Sequence, residues 1–317
     1  MMEMHGGREA RGLAVKSSSR PGPAVAGNGF LRSISGPDGK SGLFLFAAFF
    51  FAVTVVFYCV RAPGALAAGR EDAAPGPSNG RSARMASSER ELEGRMGSSS
   101  RDHFTVKYEG GENILTGYLI GMLLEEAYMK VGADLGFYPT DRIEALLYTA
   151  DTFRDVTRSP SWAGAIYDGR IKLPAGGIHE KTEELEKVIF HEYTHAVVHR
   201  LSGGRAPVWL NEGMAQYEEG RSSSEYSELL RKIAEGNRVD LRVFERSFMG
   251  LNAAGASLAY LISLSATEYI IKEYGSTSLR RILEGLNGGM NMDAAVSSVL
   301  YISYSDLESG WLRSIKR

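Results

Sequence analysis

The spacing of apolar and polar positions changes character several times along the chain. His103–Tyr108 (HFTVKY) alternates, which predicts a strand. Asn113–Leu135 carries apolar residues at helical spacing and stops ahead of Gly136 and Pro139, so a helix is expected. Ile143–Tyr148 (IEALLY) is a short apolar run with the look of a buried strand, and Asp151–Val156 predicts a helical turn. Ala165–Leu173 reads as a hairpin turning at Tyr167-Asp168-Gly169.

The strongest helix is expected over Thr182–Leu201. Thr182 is placed to cap it, Glu183, Glu184 and Glu186 suit the positive end of its dipole, and Gly203-Gly204 ends it. Leu185, Val188, Ile189, Ala196 and Val197 form its apolar stripe. Beyond Pro207 no long alternating run occurs. Helices are expected at Tyr226–Ala234, Leu258–Glu273, Thr277–Leu286, Met292–Leu300 and Leu307–Lys316, the last opened by a capping box Ser305-x-x-Glu308. Strands come first and helices later, with no internal repeat, which makes the class α+β.

The first hundred residues follow other rules. Residues 1–41 are rich in Gly, Ser, Pro and Arg without apolar period and read as a disordered basic leader. Residues 42–60 (GLFLFAAFFFAVTVVFYCV) hold no charge, and 19 helical residues at about 1.5 Å each nearly span a bilayer core. This segment is either a cleaved export signal, with Ala65-Leu66-Ala67 a small-x-small site, or a retained transmembrane anchor. Residues 61–101 are small and polar, a flexible linker. The remaining domain, 102–317, is thus expected outside the cytoplasm: on the far side of a membrane if anchored, secreted or periplasmic if cut near Ala67.

Composition adds two facts. With 44% apolar and 23% charged residues the chain is neither collagen, nor a disulfide-stapled mini-protein, nor disordered throughout. The net charge of −2 conceals a split: residues 1–101 have 13 Lys/Arg against 8 Asp/Glu, and the rest have 23 against 30. Nothing in this balance points to nucleic acid. The single cysteine, Cys59, lies in the apolar segment, so any metal in the exported domain must be held by His, Asp or Glu.

Candidate ligands sit in the strong helix, at His191-Glu192-Tyr193-Thr194-His195. Histidines at i and i+4 project from one face, one turn apart, where both imidazoles can reach one zinc ion at about 2.0–2.1 Å. Glu192, about 100° around the helix from His191, is placed to reach a water at the metal and not the metal itself. A third ligand is needed. Glu212 follows in Trp209-Leu210-Asn211-Glu212-Gly213-Met214-Ala215, after a glycine pair and Pro207 that let the chain reverse.

These residues together resemble the gluzincin metallopeptidases, and more narrowly the bacterial peptidase-MA-like family. The likeness covers most of 102–317, including Trp162, Gly164-Ala165-Ile166-Tyr167, Pro207–Ala215, Ala259-Tyr260 and Glu273-Tyr274-Gly275. It implies a zincin-like domain: a small N-terminal mixed sheet with the active-site helix, then a helical part. It also implies one zinc ion held by His191, His195 and Glu212, Glu192 as general base, and Tyr260 as the stabiliser of the oxyanion, with Tyr167 second in line. Val198 and Leu201 occupy the positions where metzincins place Gly and His. Gly164-Ala-Ile-Tyr-Asp replaces the strand with which zinc aminopeptidases hold a free amino terminus.

The reading is a zinc-dependent metallopeptidase, an endopeptidase by preference, acting on peptide or protein. The alternative is a non-catalytic envelope assembly or binding protein braced by zinc. His199, Gln216 and Asn211 are candidates to orient the ligating histidines, and Trp209 is expected to anchor the ligand helix by packing.

Overall fold

The computed structural model describes residues 89–157, 164–176, 178–236, 239–248 and 251–316. The leader, the apolar segment 42–60 with Cys59, most of the linker, and Trp162 lie outside the described residues.

Five strands form one mixed sheet: β1 (Gly97–Ser100), β2 (Phe104–Tyr108), β3 (Ile143–Tyr148), β4 (Ile166–Tyr167) and β5 (Ile171–Pro174). Their order is β1-β2-β3-β5-β4. The central pairs β2–β3 and β3–β5 are parallel, and each edge strand runs antiparallel to its neighbour. Period-two alternation divides the faces. Phe104, Val106, Ile143, Ala145, Leu147, Ile171 and Leu173 enter the main core with helices α1 (Ile114–Leu135) and α3 (Glu183–Ser202). Leu146 and Tyr148 point the other way, toward Phe153 of helix α2 (Ala150–Thr157) and toward Leu92 and Met96. Each fully buried leucine, such as Leu123 or Leu147, contributes about 1.5–3 kcal/mol by leaving water.

The sheet takes in residues that composition assigns to the linker. β1 is Gly-Ser-Ser-Ser, which has no apolar face. It holds its place by backbone pairing to β2, from Gly97 opposite Tyr108 to Ser100 opposite Thr105. Residues 89–93 are helical and lie over the outer face of the sheet. There Glu89 pairs with Lys172 (2.9 Å) and Arg170 (3.0 Å), and Glu93 with Arg170 (2.6 Å).

The rest is helical: α4 (Val208–Glu218), α5 (Ser227–Gly236), α6 (Ala253–Tyr274), α7 (Ser276–Asn287), α8 (Met292–Leu300) and α9 (Tyr304–Ile315). Thr182 caps α3 by accepting from the Leu185 N–H at 3.1 Å, as expected. α6 starts earlier than the expected Leu258, because Asn252 accepts from the Gly255 N–H and caps it there. The capping box of α9 is Ser303 with Asp306, not Ser305 with Glu308. The Glu308 carboxylate is engaged elsewhere, accepting from the Leu241 N–H at 2.6 Å. By length and composition α6 could cross a membrane, but 67% of its apolar stretch is buried inside the domain, as in a core helix. The α+β order expected from the sequence is the one observed.

Candidate metal centre

The site is built by two consecutive helices. α3 buries Ile189, Tyr193, Ala196 and Val197 and turns His191 and His195 to the opposite side, where their rings stand 4.7 Å apart at 89°. The helix ends at Gly203, whose φ of 59° is the left-handed cap that favours glycine. Gly204 has φ 73° and lies against the His199 ring, so the reversal is tight. Pro207, extended, starts α4. Glu212 on α4 then faces back at α3. Its Oε2 is 3.7 Å from His191 Nε2 and 3.9 Å from His195 Nε2. One ligand atom from each of the three residues lies within 4.8 Å of the others, the span of a set that can close on one ion.

Gly213, next to Glu212, sets how closely α4 approaches α6. A Cβ there would overlap the Ser263 carbonyl and the Thr267 hydroxyl. Gln216 fastens the same crossing: its Nε2 donates to the Glu212 carbonyl at 3.1 Å and to the Tyr260 carbonyl at 2.9 Å. Tyr260 of α6 packs edge-on against Phe248. Its hydroxyl pKa is pushed up, first by the charge of Glu212, then by burial, then by Glu192 and Glu219, which places the ring beside the carboxylate cluster.

Sequence reasoning missed Glu219. It follows the last residue of α4, and its Oε2 lies 3.4 Å from His191 Nδ1, the nitrogen turned away from Glu212. Glu219 is itself paired with Arg221. Burial lowers the His191 pKa, but the Glu219 contact and the charges of Glu219, Glu192 and Glu212 outweigh it and lift the ring to about 9. Burial and the His191 charge push His195 down to about 3, opposed by the Asn211 side chain. The His195 Nδ1 itself has no full hydrogen bond. Burial raises Glu212, and it raises Glu192 to about 7. Glu192 Oε2 is buried and bonded to nothing.

The donor set fits a cation. Three carboxylates and two imidazoles converge here, with Glu192 buried and His191, His195 and Glu212 half-buried. The donors are oxygen and nitrogen, in the His₂Glu combination of a three-ligand site.

Other candidates fall elsewhere. Tyr167 is turned to Arg200, which donates to its hydroxyl at 3.4 Å while gripping Asp141. Burial raises its pKa, and the charges that bear on it most are those of Arg200, Asp141 and Asp168. His199 is exposed and edge-on to Tyr167. Gln216 holds backbone, not an imidazole. Trp209 is fully buried and donates to the Tyr304 hydroxyl at 2.9 Å, an anchor for α4 as expected.

Residues 124–317, more than half of the chain, match the family described as the Peptidase MA superfamily. No curated protein matches the chain.

Proposed function

Because the chain belongs to the Peptidase MA superfamily, we propose that it is a zinc metallopeptidase that hydrolyses internal bonds of peptides or unfolded proteins. The observation carrying this is the convergence of His191, His195 and Glu212, with Glu192 buried beside them and one carboxylate oxygen unspent. His191, His195 and Glu212 would hold the ion, which when bound would acidify a water and polarise the scissile carbonyl. Glu192 takes the proton of the attacking water at its free Oε2 and delivers it to the leaving amine. The Tyr260 hydroxyl donates to the oxygen that gains charge. Glu219 accepts from His191 Nδ1–H and so presents Nε2 to the ion.

Endopeptidase action is supported by the sheet edge. β4 is the outermost strand and lies against α3, so an extended substrate can add along it. The segment around it, Gly164-Ala165-Ile166-Tyr167-Asp168, has Tyr167 and no carboxylate at the position where aminopeptidases grip a free terminus. A zinc-braced assembly protein, the rival reading, leaves Glu192 without a role. We propose that the domain lies outside the cytoplasm, with residues 42–60 either retained as its anchor or removed as an export signal.

The test is purified protein on a disordered substrate such as casein. Cleavage should stop with chelator and return with zinc, and mass spectrometry should find internal cuts. Stepwise loss of terminal residues would contradict the endopeptidase assignment, and chelator-resistant cleavage would contradict the metal.

A further inference from the structure

The sheet edge beside the metal centre is weak by its own means. β4 has two residues, and among the described residues β5 alone pairs with it, Ile166 opposite Lys172 and Tyr167 opposite Ile171. So short a ladder does not hold a strand by itself. Yet β4 is placed against the metal-bearing helix: the Tyr167 ring meets His199, one turn past His195 on α3, at 5.8 Å. Side chains reach this edge from both faces of the sheet. On the core face the Tyr167 hydroxyl accepts from Arg200 of α3 at 3.4 Å, and Asp141 holds the same guanidinium.

The outer face carries the larger tie. The turn between β4 and β5 is Asp168-Gly169-Arg170, closed by the Asp168 N–H donating to the Arg170 carbonyl at 3.3 Å. Ile171 and Leu173 enter the main core, so alternation turns Arg170 and Lys172 outward. There they meet the helical residues 89–93. Arg170 reaches Glu89 at 3.0 Å and Glu93 at 2.6 Å. Lys172, its side chain 5% exposed, reaches Glu89 and Asp168, each at 2.9 Å. Glu89 Oε1 also accepts from the Tyr148 hydroxyl at 3.3 Å. A buried ammonium parted from its carboxylate is strongly unfavourable, so Lys172 is bound to stay with Glu89. Residues 89–93 are seated independently of this tie: Leu92 and Met96 pack with Leu146, Tyr148 and Phe153, and Lys107 of β2 reaches Glu93 at 3.4 Å. They form a fixed post to which the β4–β5 turn is fastened. Both glutamates lie ahead of residue 124, where the family match begins, so residues outside that match make the tie.

We propose that Glu89 and Glu93 are positioning residues for the substrate. Through Arg170 and Lys172 they hold the β4–β5 turn, and with it the edge along which an extended peptide adds its backbone, at a fixed height over α3. The proposal rests on the peptidase reading. Hydrogen bonds between a sheet edge and a substrate backbone are made alike in the ground state and the transition state. Slack in the edge therefore weakens binding and leaves the chemical step alone. The tie also acts on backbone and not on side chains, so its loss should be felt equally by substrates of different sequence.

The test compares the full chain, loaded with zinc, with its Glu89→Gln, Glu93→Gln double variant on two unrelated disordered peptides. KM should rise on both by about fivefold or more, the low end of coupling between distinct sites, with kcat and zinc content unchanged. Hydrogen exchange read by mass spectrometry should quicken over residues 164–174 and stay at the wild-type rate over residues 104–108. Arg170→Gln leaves residues 89–93 their apolar seat and should shift KM and exchange the same way; it decides the matter if the double variant does not fold. Unchanged exchange over 164–174, faster exchange there with KM unmoved, or a fall in kcat at constant KM overturns the proposal and leaves the peptidase reading standing. A rise in KM for one peptide and not the other also overturns it. A wild-type chain that cleaves neither peptide overturns the peptidase reading and the proposal together, whatever the exchange shows.

Discussion

Glu219 Oε2 stands 3.4 Å from His191 Nδ1, while Glu212 Oε2 stands 3.7 Å from Nε2 of the same ring. The imidazole is thus held between two carboxylates, one a candidate ligand partner and the other a brace that fixes the ring's tautomer and angle. Bracing carboxylates typically contribute 10–100-fold to metal affinity. Glu219→Ala should weaken zinc binding by about that factor with the fold intact, as read by competition with a chromophoric chelator alongside circular dichroism. Unchanged affinity would remove Glu219 from the site.

Gly213 tests whether helix packing sets the position of Glu212. The methyl group of Gly213→Ala has to displace the Ser263 carbonyl and Thr267. Overpacking of this kind destabilises by about 1–3 kcal/mol, and α4 carries Glu212 away with it. Urea unfolding should show the loss of stability, and the same variant should retain less than one zinc per chain. A stable variant with full zinc would show that the crossing has slack.

Tyr260 is raised in pKa chiefly by Glu212 and so stays protonated as a donor. Tyr260→Phe keeps the packing on Phe248 and deletes only the hydroxyl. Losing one donor to a developing oxyanion lowers kcat by about 10²–10³, with KM and zinc content unchanged. A kcat within a factor of two of wild type would assign Tyr260 to the core alone.

Glu218 gives a pH signature away from the ligands. Burial pushes its carboxyl up to about 7, against the pull of Lys130. Between its ordinary value of 4.5 and about 7 the folded protein holds this proton and the unfolded chain does not. The contribution of Glu218 to stability therefore falls as pH rises through that window. With metal removed from both proteins, wild type should lose stability relative to Glu218→Gln between pH 5 and pH 7. Parallel curves, or a relative gain, would contradict the sign.

Much of this was legible in the chain, for identifiable reasons. His191 and His195 are readable because i and i+4 on a helix share a face, and β3 because a short apolar run bounded by polar residues leaves little else to form. Glu212 was readable through its neighbours Asn211 and Gly213, and the structure shows why glycine belongs there. β1 was invisible because Gly-Ser-Ser-Ser pairs through its backbone and shows no side-chain pattern. The α9 cap was misplaced because Ser303-x-x-Asp306 and Ser305-x-x-Glu308 are equally good signals, and only the contact of Glu308 with the Leu241 N–H decides between them. Glu219 had no signature at all. A glutamate at a helix end near an arginine reads as surface until the fold lays it against His191.

Glu192→Gln tests the central claim most directly, because it keeps shape and hydrogen bonding and removes the base. The variant and wild type should each bind one zinc per chain, while the variant's hydrolysis of a disordered protein falls by about 10²–10⁴, the usual contribution of a positioned base. A variant that binds zinc and still cleaves at the wild-type rate would contradict the account.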